Sequence, residues 1–327
     1  MRTIALLLLL AIIAATIDFR HLLSILSQLS WPVLWALLAL EYLFFLVEAM
    51  RLSRLFAGSY SLAYLLRSRL VAGVVGSSLP GGVGTEIVRA LLLQKRHPLG
   101  LLKVLAILAA NRVYGLLGFL LFIGGVLLLF GQNFAAKAVY VGVFIALAAV
   151  VLPFCLQLRL VRRSLVFLLR KAPVGRGFLR MLYLTLRRHT GLRSWLMVLG
   201  SSALGSGLMV GQMILVGRAL GIELDFSTWT VIAFLSGVAA YLPLGIGAIG
   251  PQDFSLVMIA RWLGQSSEAF VGISLLLHGV RLVSLLPAVL WMNDIFFARL
   301  RANNEKFQQS ARVDSSPKGV QASTSKP

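Results

Sequence analysis

Apolar runs dominate the chain: 3–19, 31–50, 70–80, 104–130, 138–156, 195–217, 228–243 and 269–293. Backbone polar groups in hydrocarbon must bond within their own segment, so runs of this kind become helices. Two of them are short and stop at a proline, 70–80 at Pro80 and 228–243 at Pro243. Hydrophobic residues make up 59% of the 327 and charged residues 13%, with mean hydropathy +0.89. A soluble domain is roughly a quarter charged, so an all-α polytopic membrane protein is the expected class. The start, "MRTIALLLLLAIIAATIDF", has the layout of a signal peptide. It is read here as a first membrane helix over 3–19, because no exported domain follows it.

Charge sets the topology. Lys and Arg outnumber Asp and Glu by 31 to 11. No basic groove or RNA motif accompanies the excess, so it marks cytoplasmic loops facing anionic lipid rather than nucleic acid. With Arg2 inside, 31–50 returns to the cytoplasm at Arg51, Arg54, Arg67 and Arg69. A full crossing by 70–80 would place Lys95 and Arg96 outside; a segment that dips in and returns keeps them inside, as the positive-inside rule prefers. The 11 residues from Arg69 to Leu79 rise roughly 17 Å, about half the hydrocarbon core. Residues 70–94 are therefore expected as a re-entrant hairpin, and 228–263 as a second one entering from the other side. The full reading is six spanning helices, two opposed re-entrant hairpins, and both termini in the cytoplasm of a bacterial inner membrane.

One transmembrane domain is expected over 1–300. A first repeat covers about 31–156, a linker 157–194 and a second repeat about 195–293; 301–327 is a polar, Ser-rich tail expected to be disordered. The linker carries ten Arg/Lys and no acid, which predicts amphipathic helices on the inner leaflet with anionic lipids as partners. Cys155 is a lone packing residue, so no disulfide or metal cluster is expected.

The two turns match. "LPGGVG" (79–84) and "LPLGIG" (242–247) share Leu, Pro and two glycines, and each is followed by an acid, Glu86 or Asp253. An arginine comes later in the next helix: Arg112, 26 residues after Glu86, and Arg281, 28 after Asp253. Hairpins entering from opposite faces make this an inverted repeat, an architecture of transporters whose broken helices meet at the midplane. Irregular backbone at that depth must be buried in protein or line a polar cavity, so the turns are expected to build a site. Gly82, Gly84, Gly245 and Gly247 allow close approach to the backbone. Pro80 and Pro243 end the first half-helices, and the half-helices starting near Gly84 and Pro251 aim their N-termini at an anion.

Arg89, Arg112 and Arg281 are the candidate phosphate ligands. Glu86 and Asp253 are candidate counter-charges or proton carriers. Alternatives stand beside these roles: Glu86 and Arg89 neutralising one another, Arg112 and Arg281 capping broken helices, Asn111 as helix glue, and His278 as an interhelical hydrogen bond or a proton site. Glu41 and Glu48, seven apart, share a face; Glu48 is expected to pair with Arg51, and the deeper Glu41 is a functional candidate because charge at depth is costly.

These residues carry a resemblance. "LPGGVGTEIVRALLL" with "NRVYGLLGFLLF", and "LPLGIGAIGPQDFSLVMI" with "RLVSLLPAVLW", resemble the lysylphosphatidylglycerol synthase transmembrane-region family, the flippase-like domain of bacterial multiple peptide resistance factors. The similarity runs from about residue 5 to 295. Pro80, Gly81, Gly84, Glu86 and Arg89 fill the places of the first motif, and Asn111 and Arg112 those of the Asn-Arg pair. Gln252-Asp253 stands where the second motif usually has an Arg-acid pair, which bears on headgroup preference. The resemblance implies movement of lipids or lipid-linked precursors between leaflets. It does not imply aminoacyl transfer, since the soluble synthase domain is not expected here. No nucleotide-binding loop, paired nucleophile, cofactor motif or metal spacing is found, so no enzyme activity is expected. Alternatives are a lipid-modifying transferase and a scaffold that partners envelope-lipid synthesis enzymes.

Overall fold

The computed structural model describes residues 30–76, 83–96, 99–130, 176–188, 191–240 and 251–292. The expected spans at 3–19 and 138–156, Cys155, the tail, the linker before 176, and the turn residues Pro80, Gly82, Pro243, Gly245 and Gly247 lie outside them. The described residues are all-helical: α1 Trp31–Leu55, α2 Leu62–Gly76, α3 Val83–Arg96, α4 Leu101–Phe130, α5 Arg176–Arg188, α6 Leu192–Ala219, α7 Phe226–Ala239, α8 Pro251–Trp262 and α9 Ser267–Ser284. Helices α1, α4, α6 and α9 are long and apolar enough to cross a membrane. Local chemistry sets the starts. Pro32 opens the first turn of α1, where its missing N–H costs nothing. Asp225 and Ser266 cap α7 and α9 by accepting the Thr228 and Ala269 amides.

Contacts along the helices fix their relative directions. Glu41 meets Gln212 and Arg51 meets Ser202, so rising numbers on α1 meet falling numbers on α6, and the two are antiparallel. Helix α4 runs with α6: Gly118 faces Ser202, and Phe122 faces Gly207. A Cβ on Gly118 would lie 2.1 Å from that of Ser202, so glycine permits this crossing. Helix α9 runs with α1, since Glu41 reaches Arg281 and Tyr42 reaches the Ser284 carbonyl. These are the directions that the charge distribution predicts.

The two pairs of short helices are antiparallel hairpins. In the first, the Tyr60 and Tyr64 hydroxyls donate to the Leu93 and Leu92 carbonyls at the open end. At the closed end, a Cβ on Gly76 would lie 2.3 Å from Thr85 Cα. In the second, α8 turns into α9 through Gly264. Trp229 at the start of α7 stacks on Phe270 at the start of α9, 6.1 Å between centroids. The start of α7 therefore lies level with the end of α8. The first hairpin opens where α1 ends; the second opens where α4 and α6 end, with Phe226 against Phe130 and Trp229 against Gly217. Their closed ends point toward one another.

Helix α5 has a protein contact that its pattern alone does not specify. Leu102 lies against Gly177, and the Tyr114 hydroxyl donates to the Leu186 carbonyl at 2.9 Å. It thus runs along the first half of α4 instead of across it, with Leu182 and Leu186 in the shared core. Its amphipathic pattern finds a protein partner on one side, while Arg180, Arg187 and Arg188 stay exposed.

Candidate functional site

Helix α1 carries two buried carboxylates in its apolar length, Glu41 and Glu48. Seven residues separate them, so they share a face roughly 10 Å apart along the axis. Each binds a different half of the molecule. Glu48 takes Arg89 Nη1 of α3 at 2.6 Å and Arg69 Nε of α2 at 3.0 Å. Glu41 accepts from Gln212 Nε2 of α6 at 2.9 Å and faces Arg281 Nε of α9 at 3.5 Å.

Two expectations are refined by this. Glu48 is held most closely by Arg89 and Arg69, from the hairpin packed on α1, and the expected charge of Arg51 acts on it as well. Arg51 donates from Nε to Asn111 Oδ1 and from Nη1 to Ser202 Oγ, both at 2.7 Å, so it stitches α1 to α4 and α6. Glu86 and Arg89 also do not neutralise one another. They point to different neighbours, because three residues on a helix leave enough angular offset for Glu86 to face α4 and Arg89 to face α1.

Glu86, in the first turn of α3, receives both Nε and Nη2 of Arg112 at its Oε1, at 3.2 and 3.0 Å. The pairing that the spacing of 26 suggests is thus formed. The second repeat does otherwise. Asp253, in the first turn of α8, accepts from Ser274 Oγ and from His278 Nε2, the latter at 3.2 Å. Arg281 turns to Glu41. By position in the hairpin the counterpart of Arg112 is therefore His278, 25 residues after Asp253. His278 makes the interhelical hydrogen bond offered as one of its readings, and Asn111 the helix-joining role.

Exposure separates the arginines. The Arg89 side chain is 0% exposed, with Nε and Nη2 lacking hydrogen-bond partners. It presents no surface to a ligand, unlike the role expected for it beside Arg112 and Arg281. Arg112 and Arg281 are 34% and 42% exposed, while their acids, Glu86 and Glu41, are 15% and 4%. Each of these two pairs thus covers its acid more fully than its arginine and leaves part of the cation open. Gly84 is buried in the first turn of α3.

Several participants were not singled out in the sequence. Arg69 read as a cytoplasmic charge, and Gln212 and Ser202 as parts of an apolar run. The available signal for Gln212 was a long polar side chain mid-span, which must find a partner across helices. For Ser274 it was the four-residue spacing to His278, which puts both on one face. Among the described residues no group of three His, Cys, Asp or Glu could hold a metal.

Four helices long and apolar enough to span a bilayer, joined by ion pairs along their length, define a multi-pass helical membrane protein. The model of the lysylphosphatidylglycerol synthase TM region matches residues 2–288, and the chain belongs to that family. Comparison with curated proteins and with solved structures gives no match.

Proposed function

We propose that this protein carries an anionic phospholipid or lipid-linked precursor between the leaflets of the bacterial inner membrane. In this reading the two hairpins are re-entrant, the chain makes six crossings, and both termini are cytoplasmic. The lipid phosphate is received by Arg112 and Arg281, with Glu86 and Glu41 as the counter-charges that hold each guanidinium while no phosphate is present.

The observation that carries the reading is the pairing itself. Glu86–Arg112 and Glu41–Arg281 each present a part-exposed arginine and a more deeply covered acid, one at the closed end of a hairpin and one on the helix between the two closed ends. Arg281 lies seven residues past Ser274, which faces the second closed end, and four before Leu285, which touches Gly73 near the first. A phosphate can take a bidentate contact from such an arginine while the carboxylate behind keeps it oriented. The exposed arginines of α5 suit anionic headgroups of the inner leaflet. Transport, and not catalysis, is proposed. Ser274, Asp253 and His278 are in contact, but the carboxylate sits between hydroxyl and imidazole. A nucleophilic relay needs the imidazole between the other two.

The test is headgroup translocation of a fluorescent anionic phospholipid in proteoliposomes. Arg112→Ala and Arg281→Ala are expected each to slow it by about tenfold or more, the scale of one lost charge-assisted contact. Arg112→Lys is expected to recover part of the rate, keeping charge without the bidentate fork. Rates equal to wild type in both alanine variants would end this assignment.

A further inference from the structure

The hairpins differ in one chemical respect. The acid in the first turn of the returning half-helix meets a permanent cation in the first, Arg112, and a titratable base in the second, His278. Carboxylate oxygen only accepts, so His278 Nε2 carries the hydrogen that reaches Asp253 Oδ1, and Nδ1 is the nitrogen able to accept another. Ser274 Oγ donates to the same oxygen. Ser274 and His278 are four apart on α9, one turn above the other, and both grip a residue of α8.

We propose that the Asp253–His278 pair is a proton-binding site, and that the proton it holds fixes the closed end of the α7–α8 hairpin against α9. The inference rests on the transport reading for its purpose but not for its chemistry. When His278 Nδ1 takes a proton, a neutral N–H···carboxylate bond becomes an imidazolium–carboxylate bond, and charge-assisted bonds are roughly twice as strong. When the proton leaves, the link between α8 and α9 weakens at this contact. The proton comes from and returns to water; no other bond changes.

Three further observations favour this site over the other ionisable groups. First, imidazole is the side chain that as a class exchanges its proton between about pH 5 and 8, whereas Arg112 stays charged throughout. Second, the hairpin it would hold meets its neighbours through apolar side chains along its length: Trp229, Ile232, Ala233, Leu256, Ile259 and Ala260 sit in one cluster with α6 and α9. Third, among the described residues the surrounding charges are few. On α9 the neighbour is Arg281, three residues on, and it is engaged by Glu41 of α1. Helix α8 adds Arg261 near its far end, and α6 has its charges, Arg193 and Arg218, at its two ends. Glu41 is the one carboxylate of α1 that reaches α9, and a proton on it would release Arg281 and leave His278 in place.

Hydrogen exchange of the full-length protein in lipid nanodiscs tests this, read as the protection of 226–262 relative to 62–96 so that the intrinsic pH dependence of exchange cancels. The relative protection of 226–262 is expected to fall several-fold as pH rises. His278→Gln, which keeps a donor but cannot titrate, is expected to flatten that dependence. Asp253→Asn is expected to flatten it as well, and Ser274→Ala to leave the titration in place. A ratio that is level in wild type, or a titration that survives His278→Gln, overturns the proposal. Lipid translocation without a pH gradient is scored separately. A pH-dependent hairpin with no lipid movement upholds the proton site and defeats the transport reading; lipid movement with a level ratio does the reverse.

Discussion

Hairpin α2–α3 and hairpin α7–α8 have the same plan and are held by different forces. The first is tied by charge and hydroxyls. Arg69 and Arg89 converge on Glu48, Glu86 takes Arg112, and Tyr60 and Tyr64 bond the Leu93 and Leu92 carbonyls with Arg96 lying 4.5 Å over the Tyr64 ring. The second, among the described residues, leans on Trp229 stacked against Phe270 and packed on Gly217, with Asp253 as its polar contact. Moving a segment whose buried arginines must leave their carboxylate costs several kcal/mol per ion. Moving an apolar segment costs far less, because lipid tails and apolar side chains are similar surroundings. The contrast makes the first hairpin the more firmly held of the two.

The largest effect is expected on the first hairpin. Glu48→Ala leaves Arg89 buried with no counter-charge and should destabilise the protein by about 3–5 kcal/mol, the range for breaking a buried pair from one side. Thermal unfolding in detergent measures it. If Glu48→Ala cost no more than Asp253→Ala, the distinction between a charge-held and an apolar-held hairpin would collapse.

Next comes the closed end. Gly76→Ala puts a Cβ 2.3 Å from Thr85 Cα, a backbone atom that cannot step aside, and overpacking of this kind costs about 1–3 kcal/mol. Gly73→Ala meets only the Leu285 methyl ends, at 2.7 Å and 3.3 Å, and a rotamer change should make it milder. Equal melting temperatures for the two variants would mean that the helices part freely at Gly76, contrary to a fixed first hairpin.

A smaller effect is expected where the second hairpin begins. Partial burial of Asp225 works against its charged form, but bonds from Ser227 and Thr228 outweigh it and hold the carboxyl below the ordinary aspartate range. The folded value thus lies below the unfolded one. The cap's contribution is present above about pH 4 and is lost as pH falls through the folded value. Asp225→Ala should cost about 1 kcal/mol at neutral pH, with the gap to wild type narrowing in acid. The smallest effect is expected for Tyr64→Phe, about 0.5–1.5 kcal/mol for one hydroxyl bond at the first hairpin's open end.

Much of this architecture was legible in the residues, and the reasons for what was not are physical. Helices could be placed because hydrocarbon admits no other open backbone, and their directions because Lys and Arg mark one side. The spacing from Glu86 to Arg112 found a true pair, since an acid in the first turn of a returning half-helix must lie beside the next helix. The same rule applied to Asp253 chose Arg281, 28 residues on, over His278. Which one it meets depends on helix rotation, since a three-residue shift leaves two side chains about 60° apart around the axis, and spacing alone does not say which of the two faces α8. Glu48 was given to its sequence neighbour Arg51 because local pairs are visible in a sequence. Arg89, 41 residues away, reaches it only through the hairpin's packing on α1. Gln212 and Ser202 were hidden within an apolar run, where a polar residue announces that it has a partner but not which one.

Sided labelling can decide between two opposed segments that each return to the side they entered and two segments that each cross once. The sequence has one cysteine, Cys155, so Cys155→Ser gives a background for Arg96→Cys at the end of α3 and Gln265→Cys at the end of α8. With a membrane-impermeant maleimide on intact spheroplasts, Gln265→Cys should be labelled and Arg96→Cys protected, the pattern reversing in inside-out vesicles. Labelling of both positions from the same side would contradict the account.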